Sequence, residues 1–260
     1  MATAIQYAKD LLPDVRIEPT ARRIRAVING EAVVDTIDAF VLFERDHLPA
    51  YYFPRTALRD ELLVDSDLHT FCPRKGTASY FHVEVGERLV ENAVWYYPEP
   101  LEQLPELAGL VSFYWDRVDH WFEEDEEVFK HARDPYHRVD ALQSSRRVQV
   151  VIGGEVVADS SRPVLLFETG LPTRYYIPRD DVRTDLLTAN ETTSVCPYKG
   201  TASYWSLTVG DRTISDAVWS YSEPVPQTPT IKGLMCFFDE RVDEVIVDGV
   251  EQPKPVTPWS

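Results

Sequence analysis

Two stretches of the chain read almost alike: Cys72-Pro73-Arg74-Lys75-Gly76-Thr77-Ala78-Ser79-Tyr80 and Cys196-Pro197-Tyr198-Lys199-Gly200-Thr201-Ala202-Ser203-Tyr204. They stand 124 positions apart, and the same offset keeps the register outward in both directions, from Arg22/Arg146 to Asp119/Asp243. Over those 98 aligned positions 43 residues are identical and no gap is needed. The chain of 260 residues therefore reads as one domain written twice.

The periodicity within each copy is that of strands. Phe81, Val83 and Val85 alternate with Tyr80, His82 and Glu84, and Trp205, Leu207 and Val209 repeat the pattern. Asn29-Gly30 and Gly153-Gly154 end two apolar runs and suit the positive φ values of a two-residue hairpin. Helix is scarce: short helical turns are expected over 54–63 and 178–187, and one short helix over 3–12. The expected organisation is an N-terminal extension (1–21), a first β domain (22–125), a linker (126–145), a second β domain (146–250) and an extended tail (251–260). The run Glu123-Glu124-Asp125-Glu126-Glu127 reads as a solvated acidic face.

A formal charge of −17 argues against nucleic acid and anionic membranes as partners. No apolar run approaches the roughly 18 residues of a membrane helix, and residues 1–13 do not read as a signal peptide. Three cysteines, an odd number, suggest no disulfide framework and suit a reducing, cytoplasmic setting.

Polar residues kept in both copies point to a site, because an apolar core does not explain them. They are Glu44/Glu168, Tyr51-Tyr52/Tyr175-Tyr176, Arg55/Arg179, Cys72/Cys196, Lys75/Lys199, Thr77/Thr201, Ser79/Ser203, Tyr80/Tyr204, Tyr97/Tyr221 and Glu99/Glu223. The segments Tyr-Tyr-Phe/Ile-Pro-Arg, Cys-Pro-Xaa-Lys-Gly-Thr-Ala-Ser-Tyr and Ala-Val-Trp-Xaa-Tyr-Xaa-Glu-Pro resemble the family called domain of unknown function 427. Asp134-Pro-Tyr-His-Arg-Val139 resembles the junction of its tandem members. The resemblance implies an all-β fold, two tandem β-tent (Mss4-like) domains of antiparallel sheets, and no established activity. The nucleotidyltransferase label attached to that family names no mechanism. Copy one departs at Ala50 and Arg74, where copy two has Arg174 and Tyr198 closer to the family pattern, so copy two is expected to hold the better site.

Each candidate chemistry has a plain structural alternative. A shared zinc site lacks ligands: each copy has one shared cysteine, and all six histidines lie between 47 and 137. No metal or cofactor is expected. Lys75 and Lys199 follow Cys72 and Cys196 by three residues and would favour a thiolate, but no histidine base is expected in copy two. Glu44 and Glu168 end apolar strands, where they would pair with Arg55/Arg179 or Lys75/Lys199, as a ligand-binding group or as a structural ion pair. Tyr51 and Tyr52 must face opposite ways, one into the core. Trp95 and Tyr97 share a face, as do Trp219 and Tyr221.

The expected site in copy two is a pocket for a small polar or anionic molecule, lined by Glu168, Arg174, Tyr176, Arg179, Cys196, Lys199, Tyr204, Trp219 and Tyr221. Its counterpart in copy one is Glu44, Tyr52, Arg55, Cys72, Lys75, Tyr80, Trp95 and Tyr97. A transferase or hydrolase using Glu168 or Cys196, and a protein-interaction module using the acidic run, stay open as alternatives, as does the oligomeric state.

Overall fold

A computed structural model describes residues 13–257, so the helix expected over 3–12 and the last three residues of the tail lie outside the described residues. The chain divides into two units, Met1–Asp134 and Pro135–Ser260. In unit 1 the strands are β1 (Val15–Thr20), β2 (Ile24–Ile28), β3 (Glu31–Thr36), β4 (Ala39–Glu44), β5 (Ala50–Pro54), β6 (Leu63–Cys72), β7 (Gly76–Val85), β8 (Arg88–Tyr96), β9 (Leu110–Phe113), β10 (His120–Glu123) and β11 (Glu126–Val128). Unit 2 repeats them as β12 (Val139–Gln143), β13 (Val148–Ile152), β14 (Glu155–Ser160), β15 (Val164–Glu168), β16 (Arg174–Ile177), β17 (Leu187–Cys196), β18 (Gly200–Val209), β19 (Arg212–Ser220), β20 (Met235–Phe237), β21 (Glu244–Val247) and β22 (Val250–Glu251).

Each unit is all-β and antiparallel. Unit 1 has a seven-stranded sheet, β1-β4-β5-β9-β8-β7-β6, and a four-stranded sheet, β11-β10-β2-β3. Unit 2 has β12-β15-β16-β20-β19-β18-β17 and β14-β13-β21-β22. The hairpin pairs behave as their residues require: Asn29 and Gly30 have φ of 49° and 79°, Gly153 and Gly154 of 60° and 78°. The helical turns are short 3-10 pieces, Arg55–Ala57 and Asp60–Leu62 in unit 1, Arg179–Asp181 and Thr184–Leu186 in unit 2. Among the described residues no helix is long and apolar enough to cross a membrane.

The repeat reaches further toward each N-terminus than identity alone suggests. β1 falls in the expected extension 1–21 and pairs with β4, while β12 falls in the expected linker 126–145 and pairs with β15. β11 also lies in that stretch and pairs with β10. Edge strands tolerate sequence drift because only one flank is held by a neighbour, so their kinship is weak in the letters.

Each seven-stranded sheet is covered on both faces. The inner face of unit 1 closes on the four-stranded sheet through Ile24, Ala26, Tyr51, Phe53, Val83, Val94 and Trp121. The outer face carries a second cluster that includes Leu42, Tyr52, Ala78, Tyr80, Tyr97, Leu104 and Leu107. Tyr51 and Tyr52 do face opposite ways, yet both are buried, because the outer face has its own apolar cover.

The acidic run is a solvated face only in part, at Glu124 and Asp125. Glu123 is 6% exposed, accepts a hydrogen bond from the Tyr51 hydroxyl and pairs with Arg22 at 2.8 Å. Asp125 pairs with Arg25, Glu126 with Arg133 and Glu127 with His120. β10 and β11 place Glu123, Glu126 and Glu127 against basic neighbours, while Glu124 and Asp125 stay exposed in the turn between them.

Candidate functional site

The outer face of the large sheet collects the shared polar residues by simple alternation. Along β4, Phe40, Leu42 and Glu44 point outward while Val41 and Phe43 enter the inner core. In unit 2, Val164, Leu166 and Glu168 do the same. The neighbouring β5 and β16 contribute Tyr52 and Tyr176, and β8 and β19 lead to Trp95/Tyr97 and Trp219/Tyr221. β7 and β18 add Tyr80 and Tyr204, and the cysteine ends of β6 and β17 close the row.

A buried ion pair sits in this face in both units. Lys75 Nζ donates to Glu44 Oε2, with side chains 11% and 9% exposed, and Lys199 Nζ donates to Glu168 Oε2, at 10% and 6%. Burial alone would push both carboxyls up, but the lysine contacts outweigh it, and Glu44 and Glu168 are held below the usual carboxylate range. In Glu168 the largest opposing contact is the hydrogen bond from His137.

The lysine turn is locked in place by the third shared motif. Gly76 and Gly200 have φ of 107° and 100°, and a Cβ there would stand 3.2 and 3.1 Å from the carbonyl oxygens of Glu99 and Glu223. Leu101 N–H donates to Lys75 O and Val225 N–H to Lys199 O, at 3.2 and 3.1 Å. Trp-Xaa-Tyr-Xaa-Glu-Pro thus supplies two outward rings and then the backbone that pins the Lys-Gly turn. Only glycine permits that approach.

The aromatic wall is hydrogen-bonded rather than merely apolar. Trp95 Nε1 donates to the Tyr52 hydroxyl at 2.9 Å, and Trp219 Nε1 to the Tyr176 hydroxyl at 3.1 Å. Burial pushes the phenols of Tyr52, Tyr97, Tyr176 and Tyr221 well above their ordinary range, so all four are neutral donors. Tyr80 bonds Thr70 at 2.6 Å and Tyr204 bonds Ser194 at 2.6 Å. Cys72, Trp95, Cys196 and Tyr204 are half-buried and form the accessible edge.

Two expected members are elsewhere. Arg55 pairs with Asp60 and lies over the Phe81 ring at 5.1 Å, and Arg179 lies over Trp205 at 6.0 Å. Both follow the proline that ends β5 or the segment after β16, where a 3-10 turn carries the chain toward the inner-core periphery. The glutamates therefore pair with lysine and not with these arginines. Arg174 is near Trp219, 5.6 Å from its ring, but its guanidinium makes bonds of 2.8 and 2.5 Å to Glu240. It is a satisfied structural cation more than an open ligand contact. Glu223 pairs with exposed Lys232, and Thr77 and Thr201 are exposed.

One residue was missed. His137 belongs to unit 2, so that unit does contain a histidine, and its Nε2 donates to Glu168 Oε1 at 2.9 Å. The signal was present in Asp134-Pro-Tyr-His-Arg-Val139: Val139 is registered opposite Glu168, which brings His137 to the carboxylate. Tyr198 stacks on the imidazole with ring centroids 4.2 Å apart. In unit 1 the corresponding place is taken by Arg74, whose Nη1 contacts Glu44 Oε1 at 3.3 Å and Arg45 O at 3.0 Å. The second nitrogen partner of the carboxylate thus comes from the lysine turn in unit 1 and from the segment before the first strand in unit 2.

The family model described as "Domain of unknown function (DUF427)" matches residues 16–124 and again 140–248. Both matched segments begin within the edge strands β1 and β12 and include every outer-face residue named above except His137. No curated protein matches the chain.

Proposed function

The chain belongs to the DUF427 family, and from that premise we propose that each unit binds a small polar or anionic molecule at the outer face of its large sheet. The observation that carries the reading is the buried Glu-Lys pair, set beside half-exposed Cys72 and Trp95 in unit 1 and half-exposed Cys196 and Tyr204 in unit 2. A buried pair of this kind adds little net stability compared with apolar residues of the same volume. Its presence in both copies, beside neutral phenol donors, suits recognition of a polar group at an aromatic wall. In this reading Tyr80/Tyr204 and Trp95/Trp219 face the ligand, the ion pair orients it, and Arg74 or His137 tunes each site.

The two alternatives have weaker support. Glu44 and Glu168 are held ionised and are poor proton donors, and among the described residues no side chain hydrogen-bonds the Cys72 or Cys196 thiol. The acidic run is already paired within unit 1.

The test is ligand-observed NMR of the full chain against a panel of small carboxylates, phosphates and amides. Bound compounds should be lost on alkylation of Cys72 and Cys196 by iodoacetamide, and on Tyr80→Ala with Tyr204→Ala. Binding that survives both treatments, or an absence of binding across the panel, removes the proposal.

A further inference from the structure

The two copies differ most in what fills the space beside the first tyrosine of the Tyr pair. In unit 1, Trp115 and Trp121 stack with centroids 4.8 Å apart and close on Tyr51, at 6.1 and 5.7 Å. Val128 and Ala132 complete the wall, 2% and 0% exposed. The corresponding residues of unit 2 are Asp239, Val245, Gln252 and Val256. Two indoles are replaced by a carboxyl and an isopropyl group, and Val256 is exposed instead of buried. A cleft of about 180 Å3 results, lined by Tyr175, Asp239, Asp243, Val245, Gln252 and Lys254 among others. A cavity of about 150 Å3 holds benzene, so this volume suits one ring.

The carboxyls around the cleft are not equivalent. Glu240 accepts both bonds from Arg174 and a third from Thr257 Oγ1 at 2.6 Å. Asp243 accepts from Gly153 N–H and from Arg212, each at 2.7 Å, and Lys254 adds a favourable charge. Asp239 is 9% exposed, and among the described residues no side chain is within hydrogen-bond distance of it; Arg174 Nη1 stands at 3.7 Å. A nearly buried carboxyl without a side-chain donor leaves a position for one. Burial pushes this carboxyl up to about 7, against the pull of Arg174. The Tyr175 phenol is also raised by burial and by Asp239, and its ring forms part of the same wall.

We propose that unit 2 carries a second binding site, absent from unit 1, for a small ring compound bearing a protonated amine. The ring takes the space that Trp115 and Trp121 fill in unit 1, against Tyr175 and Val245. The ammonium donates to Asp239. The site is independent of the Glu168-Lys199 face.

Calorimetric titration of the full chain with benzylamine, and with benzyl alcohol as its neutral counterpart, tests the assignment. Benzylamine is expected to bind at least tenfold more tightly than the alcohol, since a charge-assisted bond to a desolvated carboxyl is the difference between them. Asp239→Asn should weaken benzylamine roughly tenfold or more and leave the alcohol unchanged. Val245→Trp, which restores the filled state of unit 1, should abolish binding of both; Val245→Leu serves if that variant does not fold, with a smaller loss expected. Equal affinity for amine and alcohol, full affinity in Asp239→Asn, or no benzylamine binding to the folded wild-type chain overturns the proposal.

Discussion

Unit 1 and unit 2 share strand order, loop lengths and the Glu-Lys pair, yet they diverge on both sides of the Tyr pair. On the outer face the carboxylate keeps its lysine and a second nitrogen partner in each unit, but Arg74 in one is exchanged for His137 in the other. On the inner side the stacked Trp115 and Trp121 give way to Asp239 and Val245, and a cleft opens. The first difference keeps a second contact on the carboxylate but draws it from a different segment of the chain. The second changes volume and polarity together. Duplication has therefore retained the scaffold and the ion pair while freeing the periphery to vary.

The largest expected effect tests whether the shared pair is equivalent in the two units. Lys199→Met should destabilise unit 2 by about 3–5 kcal/mol, because Glu168 is left buried with only the imidazole beside it. The double variant Glu168→Gln/Lys199→Met should recover most of that loss. Lys75→Met leaves Glu44 the permanent Arg74 guanidinium at 3.3 Å, so its cost should be smaller than that of Lys199→Met. Urea denaturation followed by circular dichroism reads all of these, and equal costs for Lys75→Met and Lys199→Met would show that the Arg74/His137 exchange has no consequence.

Next in size is the inner core. Trp121→Val in unit 1 should cost about 3 kcal/mol, since the indole is 3% exposed and stacked. Val245→Ala in unit 2 should cost about 1 kcal/mol, because one side of that residue already faces a cleft. Equal costs in thermal unfolding would mean that the two cores are packed alike.

The Asp239 carboxyl supplies a pH signature that unit 1 lacks. Its folded-state pKa is raised to about 7 from an ordinary 3.8. The native state therefore holds the proton more tightly, and its stabilising contribution is complete below about pH 4 and lost as pH rises through 7. Between pH 5 and pH 8 the loss should be on the order of 2 kcal/mol, and Asp239→Asn should flatten it. A melting profile with the same slope in the variant assigns the effect to another group.

The smallest effect concerns the indole-phenol bonds. Trp95→Phe and Trp219→Phe each remove a donor to a buried hydroxyl, and each should cost about 1 kcal/mol. Matching shifts in melting temperature would mark this bond as part of the common scaffold; a much larger shift in one unit would mark that unit's wall as the more tightly coupled.

Much of this was legible in the letters. The offset of Arg22 to Arg146, the Asn29-Gly30 turn and the alternation Phe81, Val83, Val85 are local signals, and strand geometry turns them directly into hairpins and faces. Alternation also set Tyr51 and Tyr52 on opposite faces, and motif order brought Lys75 and Trp95 into consideration. Arg55 misled, because its identity in both copies says nothing of the 3-10 turn that carries it to Asp60.

By itself, the sequence determined the duplication and the strand class, since these depend on residue type and on a period of two. Tertiary structure decided the rest. Only the β12-β15 register brings His137 to Glu168, only the two-sided cover of the large sheet buries both tyrosines, and only packing across strands turns Trp115→Asp and Trp121→Val equivalents into a cleft. Each depends on distances between residues far apart in the chain, and those distances are set by how the sheets close.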